Sequence, residues 1–200
     1  KGAPVNLTAA NAATDSLPAA SPDGKYLAWA AMRRPGYEAD RMVVQLMDLK
    51  SGKVKALTED WDRSVATINW APDSQSLLVT ADDTLEHPLF RVTLDGTVTR
   101  LTQSGHVGEV VPLPQGRTLF TMNSLHTPDE LMLREADGTV RPVTSVNGEA
   151  LTGLDPVIVQ SFNFAGAYSG TVWGQIIKPA EAKGPLPVAL LIHGGPPGRF

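Results

Sequence analysis

The residues with the most chemical content close the chain. An uninterrupted aliphatic run, Val188 to Ile192, is followed by His193-Gly194-Gly195-Pro196-Pro197. Acyl transfer places negative charge on a former carbonyl oxygen, and each preorganised backbone N–H aimed at that oxygen is worth about 10²–10³ in rate. Glycine lets the main chain approach without a Cβ and adopt unusual dihedrals. Pro196 and Pro197 have no N–H to give and can only stiffen the loop. The His193-Gly194-Gly195 loop is therefore the candidate source of an oxyanion donor. The competing reading is a plain turn, since Gly-Gly-Pro clusters are common turn material. Other chemistries find less support. There is no cysteine, hence no thiolate nucleophile or thiolate metal site. His87, His106 and His126 share no metal-type spacing with one another or with the carboxylates, and read as surface or loop residues. No metal and no cofactor are implied.

A backbone donor is useful only if rigid elements present it. Val188–Ile192 is continuous rather than alternating, as expected of a strand covered on both faces. Ahead of it, "VIVQSFNF" (157–164) alternates like a strand, "AGAYSG" (165–170) is a turn, and "TVWGQIIKP" (171–179) is a second strand. A polar, Pro-rich connection, "AEAKGPLP", spans 180–187. An antiparallel pair followed by a buried strand opens many α/β-hydrolase domains. In that fold the loop after the third strand, often of HGG type, supplies one oxyanion donor. Residues 156–200 are thus expected to be the N-terminal part of such a domain.

Residues 1–155 follow another grammar. A Pro-led turn recurs as "SPDGK" (21–25), "APDSQ" (71–75) and "LPQGR" (113–117), each leading into a β-rich run. Each unit then ends in a glycine turn at Gly52, Gly96 or Gly138, and six residues later a threonine: Thr58, Thr102, Thr144. A fourth copy of that ending, "NLT", stands at 6–8. Asp-Gly between short β-type runs is a hairpin signal. Several strands per unit, repeating every 42–50 residues, read as β-propeller blades. The alternative is a β-sandwich with chance similarity. About three blades cannot close a ring of roughly 4–8, so further blades are expected outside these residues. The first unit is lengthened by an inserted loop, "RRPGYEADR" (33–41). Trp29, Trp61 and Trp70 lie in or beside the units and read as packing between blades, against a ligand-stacking role.

Bulk composition narrows the field. Among 200 residues, 42% are hydrophobic and 19% charged, so a packed core is within reach. The net charge of −4 and the lack of a Lys/Arg cluster argue against a nucleic-acid surface. The longest aliphatic run is far too short to span a bilayer. Lys1 is not an initiator Met, and processing or cleavage ahead of it is expected.

With its blades, "RPGYEADR" at 34–41, "TVWGQIIKPA" at 171–180 and "HGGPPG" at 193–198, the chain resembles the prolyl oligopeptidase family of serine peptidases. The branch most like it holds dipeptidyl and acylaminoacyl peptidases. The resemblance implies a propeller lid over an α/β-hydrolase domain, short peptides as substrates, no cofactor, and periplasmic or secreted location ahead of cytoplasmic. Carried over, Gly195 supplies an oxyanion-hole N–H, and His193 and Gly194 shape its loop. The nucleophile, in G-x-S-x-G, and its Asp and His have no match in this chain. The chain alone is therefore expected to be inactive, with the remainder of the catalytic domain as its partner, possibly as a second polypeptide. A dipeptidyl peptidase also needs an anion for the substrate's α-amino group, and the inserted loop offers Glu38 and Asp40. Two other readings stay open: a non-enzymatic propeller that binds proteins, and an esterase or lipase of the same hydrolase fold.

Overall fold

The computed structural model describes residues 2–154 and 157–191. Each of the three repeats is a four-stranded antiparallel meander whose strands pair in sequence order. The first sheet is β1 (Asp15–Ala20), β2 (Tyr26–Ala31), β3 (Val43–Asp48) and β4 (Val54–Ala56). The second is β5 (Val65–Trp70), β6 (Ser76–Ala81), β7 (Leu89–Thr93) and β8 (Val98–Arg100). The third is β9 (His106–Pro112), β10 (Thr118–Asn123), β11 (Glu130–Arg134) and β12 (Val140–Pro142). A short helix, α1 (Gly148–Leu151), then precedes a separate hairpin, β13 (Val157–Ala165) and β14 (Thr171–Pro179). The first strands lie next to one another, β1 against β5 and β5 against β9, as blades meet around a propeller axis. The expected partial propeller is present.

The recurrent threonine has one structural role in all three blades. Two residues past the fourth strand, its hydroxyl accepts the N–H of a third-strand residue: Thr58 from Val44 at 2.9 Å, Thr102 from Leu89 at 3.0 Å, Thr144 from Leu131 at 2.9 Å. The carbonyl of that third-strand residue accepts from the residue before the threonine: Leu57, Leu101 or Val143. The pair of bonds extends the ladder one step beyond a three-residue strand. In the copy at 6–8 the Thr8 hydroxyl donates to Asn6 instead and closes no ladder.

The Pro-led turns join first to second strands. Gly24 and Ser74 sit at the left-handed position of equivalent turns, with φ of 71° and 59°. Ser74 is strained there for a non-glycine residue, and its buried hydroxyl explains its presence: it accepts the Asp23 N–H of the preceding blade at 3.1 Å. Gly96 serves a second contact between the same blades. Its φ is 98°, and a Cβ there would stand 2.7 Å from the Leu57 carbonyl oxygen.

β6 is buried at every position because blades cover both its faces. On one side Leu77, Val79, Phe90 and Val92 meet Ala28, Val44 and Leu46 of the first blade. On the other, Leu78 and Leu89 meet Val107, Val110 and Phe120 of the third. Each buried Val, Leu or Phe among them contributes about 1.5–3 kcal/mol relative to exposure. Trp70 stacks on Tyr26 and donates to the Ala19 carbonyl at 2.9 Å, and Trp61 meets Phe90 edge-on, so both join the first two blades. Trp29 packs on the opposite face of the first blade with Ala31 and Met47, its Nε1 donating to Asp15.

Two expectations need correction. Residues 188–191 form no strand and are exposed, Val188 at 90% and Leu191 at 77%. A strand takes its hydrogen bonds from neighbours, and no described residue pairs with this run; Ile192 lies outside the described residues. Among the described residues, the part of the expected hydrolase strands that forms is the β13–β14 hairpin. His87 lies in the connection between β6 and β7, as a loop residue would, but not at the surface. It is 8% exposed, because its backbone bridges Gly105 and Val107 of the next blade and its ring stacks on His106 at 4.5 Å.

Candidate functional site

In an antiparallel meander, the first-to-second and third-to-fourth turns fall at one end. The second-to-third connections and the links between blades fall at the other. The inserted loop 33–41 belongs to the linking end, with 82–88, 124–129 and the exit through 143–154. The connections there (32–42, 57–64, 82–88, 101–105, 124–129, 143–154) carry ten Asp or Glu against four Arg and no Lys. An acidic end of this kind favours a cationic group on a ligand.

The inserted loop turns at Pro35-Gly36, with Tyr37 donating to the Arg34 carbonyl and Asp40 to that of Tyr37. Asp40 organises it. One carboxylate oxygen accepts the backbone N–H groups of Arg33 and Arg34, both at 2.7 Å; the other accepts Nε and Nη2 of Arg34, both at 3.1 Å. The Arg34 and Arg33 amides, then the Arg34 guanidinium, hold the Asp40 carboxyl at about 2. The Arg34 guanidinium also lies 3.9 Å over the Tyr37 ring. Glu59, from the link to the second blade, pairs with Arg33 at 2.6 Å and Arg41 at 3.5 Å, strapping the loop down. Glu38 makes no hydrogen bond to any described residue. It is exposed, and with Thr14, Met32, Arg34, Gly36 and Tyr37 it lines a cleft of about 180 Å³.

The neighbouring connections are held the same way. Asp83 accepts from Arg63 at 2.7 Å and Arg100 at 2.6 Å. Glu86 accepts the Gly105 N–H, and His87 Nδ1 lies 2.7 Å from Asp82. In the third blade Glu130 accepts from the Thr144 hydroxyl, the Asn147 and Val146 amides and the Asn147 side chain. Those donors, Thr144 foremost, bring its carboxyl down to about 2. A wider cleft of about 620 Å³ lies between 123–129 and Leu151, Leu154 and Val157.

The two carboxylates named from the sequence thus lie on one loop in different states, Asp40 saturated with donors and Glu38 open. His193, Gly194 and Gly195 lie outside the described residues. Sequence reasoning missed Asp83, Glu59 and Glu130. Only the Thr144 offset hinted at the last, since their partners come from other loops.

No protein-family model matches the chain. It is 32% identical over 196 residues to a probable dipeptidyl-peptidase 5 of Emericella nidulans, a match covering 92% of this chain and 27% of that protein. The chain spans about a quarter of the length of the curated relatives it matches. In fold it resembles the acylaminoacyl peptidase of Pyrococcus horikoshii, with TM-score 0.66, 22% identity, and cover of 78% of this chain and 24% of that one. It also resembles the β-propeller domain of the trilobed protease of Pyrococcus furiosus, with TM-score 0.52, 16% identity, and cover of 66% and 38%. By sequence and by fold, the relatives of this chain are peptidases of the prolyl oligopeptidase family.

Proposed function

We propose that the whole protein is a serine peptidase that removes short N-terminal units from oligopeptides through an acyl-enzyme. Its Ser, Asp and His are supplied by the remainder of the catalytic domain. The observation that carries this reading is the 92% of the chain aligned with dipeptidyl-peptidase 5. Residues 1–155 are the last blades of a propeller lid, and 156–200 begin the catalytic domain. Gly195 donates its N–H to the tetrahedral intermediate, in a loop shaped by His193 and Gly194. Glu38 meets the substrate's ammonium group, and Asp40 holds the loop that carries it. The open carboxylate of Glu38, beside a saturated Asp40, supports that division.

The test uses the full-length protein and dipeptidyl arylamides. Gly195→Val is expected to lower kcat by at least about 10²-fold with a smaller effect on KM. Glu38→Gln is expected to raise KM for substrates with a free amine and to leave N-acylated analogues unaffected. Failure of the full-length protein to hydrolyse any dipeptidyl arylamide overturns the reading. A Glu38→Gln effect equal on free and acylated substrates removes Glu38 from it.

A further inference from the structure

The seam between the second and third blades contains two arginines that no carboxylate of a described residue joins. In β7, Arg91 shares a sheet face with Leu89 and its cross-strand neighbour Leu78. In β11, Arg134 shares a face with Met132 and its cross-strand neighbour Val140. Leu78, Leu89, Met132 and Val140 belong to the apolar cluster of this seam, so the two arginines enter it from opposite sides. Arg134 Nε is buried with no hydrogen-bond partner, and its Nη1 reaches only the Glu135 carbonyl, at 3.3 Å. Among the described residues no side-chain hydrogen bond or ion pair engages Arg91. Asp137 is near enough to act on Arg134 through space, but its carboxylate accepts the Thr139 N–H at 2.8 Å. Burial, and then the charge of Arg91, lower the Arg134 pKa from its ordinary value.

Elsewhere this molecule treats paired arginines differently. Arg63 and Arg100 share Asp83, and Arg33 and Arg41 share Glu59. In each case one carboxylate sits between two guanidiniums and offsets their repulsion. Arg91 and Arg134 face the same seam and leave a buried donor unused, with no described carboxylate bonded to either. A guanidinium presents its donors in a planar fork suited to oxyanions, and two of them match a doubly charged one.

We infer that Arg91 and Arg134 form a binding site for a small tetrahedral oxyanion, phosphate or sulfate, which joins the second and third blades. The site lies wholly within described residues and does not depend on the peptidase reading. Binding to the folded state alone raises stability in a saturable way. The test is thermal unfolding of the full-length protein in phosphate, sulfate, acetate or chloride at matched ionic strength, with calorimetric titration of inorganic phosphate. The midpoint is expected to rise saturably in phosphate or sulfate, whichever is the better ligand, and not in acetate or chloride. Arg91→Gln and Arg134→Gln should each abolish the rise, and Arg91→Lys, which keeps the charge but not the fork, should weaken it. An equal rise in chloride overturns the site, as does an undiminished response in both glutamine variants. Absence of saturable heat with phosphate and with sulfate on the wild-type protein also overturns it, whatever the variants do.

Discussion

Replacing Thr102 by Val tests whether the repeated threonine holds the blades together. The change keeps the shape and removes one oxygen. That oxygen accepts the Leu89 N–H at 3.0 Å, where Leu89 is 0% and Thr102 4% exposed, so water has little access to take its place. Leaving a buried donor unmade costs about 1–3 kcal/mol. The added methyl returns at most about 0.8 kcal/mol. The balance is a loss of roughly 0.2–2 kcal/mol, up to a factor of about 30 in the folding equilibrium. Thr58→Val removes the same bond to Val44, also 0% exposed, and should behave alike. At the Leu131 amide Thr144→Val should matter less, because Leu131 is 37% exposed and water can take over its N–H, although the variant also removes the Thr144 hydroxyl from Glu130. Denaturant unfolding followed by tryptophan fluorescence gives the cost of Thr102→Val and Thr58→Val, and hydrogen exchange at the Leu89 and Leu131 amides gives the local effects. The reasoning fails if Thr144→Val lowers Leu131 protection as much as Thr102→Val lowers that of Leu89. It fails equally if Thr102→Val leaves Leu89 protection unchanged.

Gly96→Ala should destabilise by more than about 1 kcal/mol, through both its φ and the Leu57 carbonyl. Gly52→Ala, with a positive φ but open space around it, should cost less in the same unfolding assay. Asp40 and Glu130 have depressed folded-state pKa values, so their contributions are present above the ordinary carboxylate range and lost as pH falls toward about 2. Exchange at the Arg33, Arg34 and Asn147 amides should therefore accelerate across that window, relative to a core amide such as Leu77. Asp40→Asn should remove the pH dependence at Arg33 and Arg34 while leaving it at Asn147.

What the sequence made legible was local. A Pro-led turn, a glycine turn and a threonine at constant offset each depend on a few adjacent residues, so their recurrence marked the blades and their order. The burial of His87 depends on Gly105 and Val107, which reach it only when the third blade docks. Its own neighbours, Asp82, Asp83 and Glu86, gave a reader every reason to place it in solvent. The run at 188–191 failed for the converse reason. Aliphatic composition states what a segment could do if partnered, and the partner is not among the described residues. Arg91 and Arg134 were in principle readable, since alternation in β7 and β11 puts them on the same faces as Leu89 and Met132. Recognising that no carboxylate of a described residue joins them required the blades to be assembled.

The acidic end of the blades gains meaning from how its charges are distributed. A high density of carboxylates would by itself repel, and most are therefore engaged. Asp40 and Glu130 each accept several N–H or O–H donors, and Asp83 and Glu59 each take two arginines. These groups stiffen connections that would otherwise be long and mobile, and an engaged carboxylate has little left to offer a ligand. Discrimination between structural and ligand-facing carboxylates thus follows from counting donors rather than from position in the sequence. On the inserted loop the count separates two acids only two residues apart. In the role proposed for Glu38, the loop held by Asp40 would spare its carboxylate the ordering entropy that a wandering loop loses each time it meets an amine.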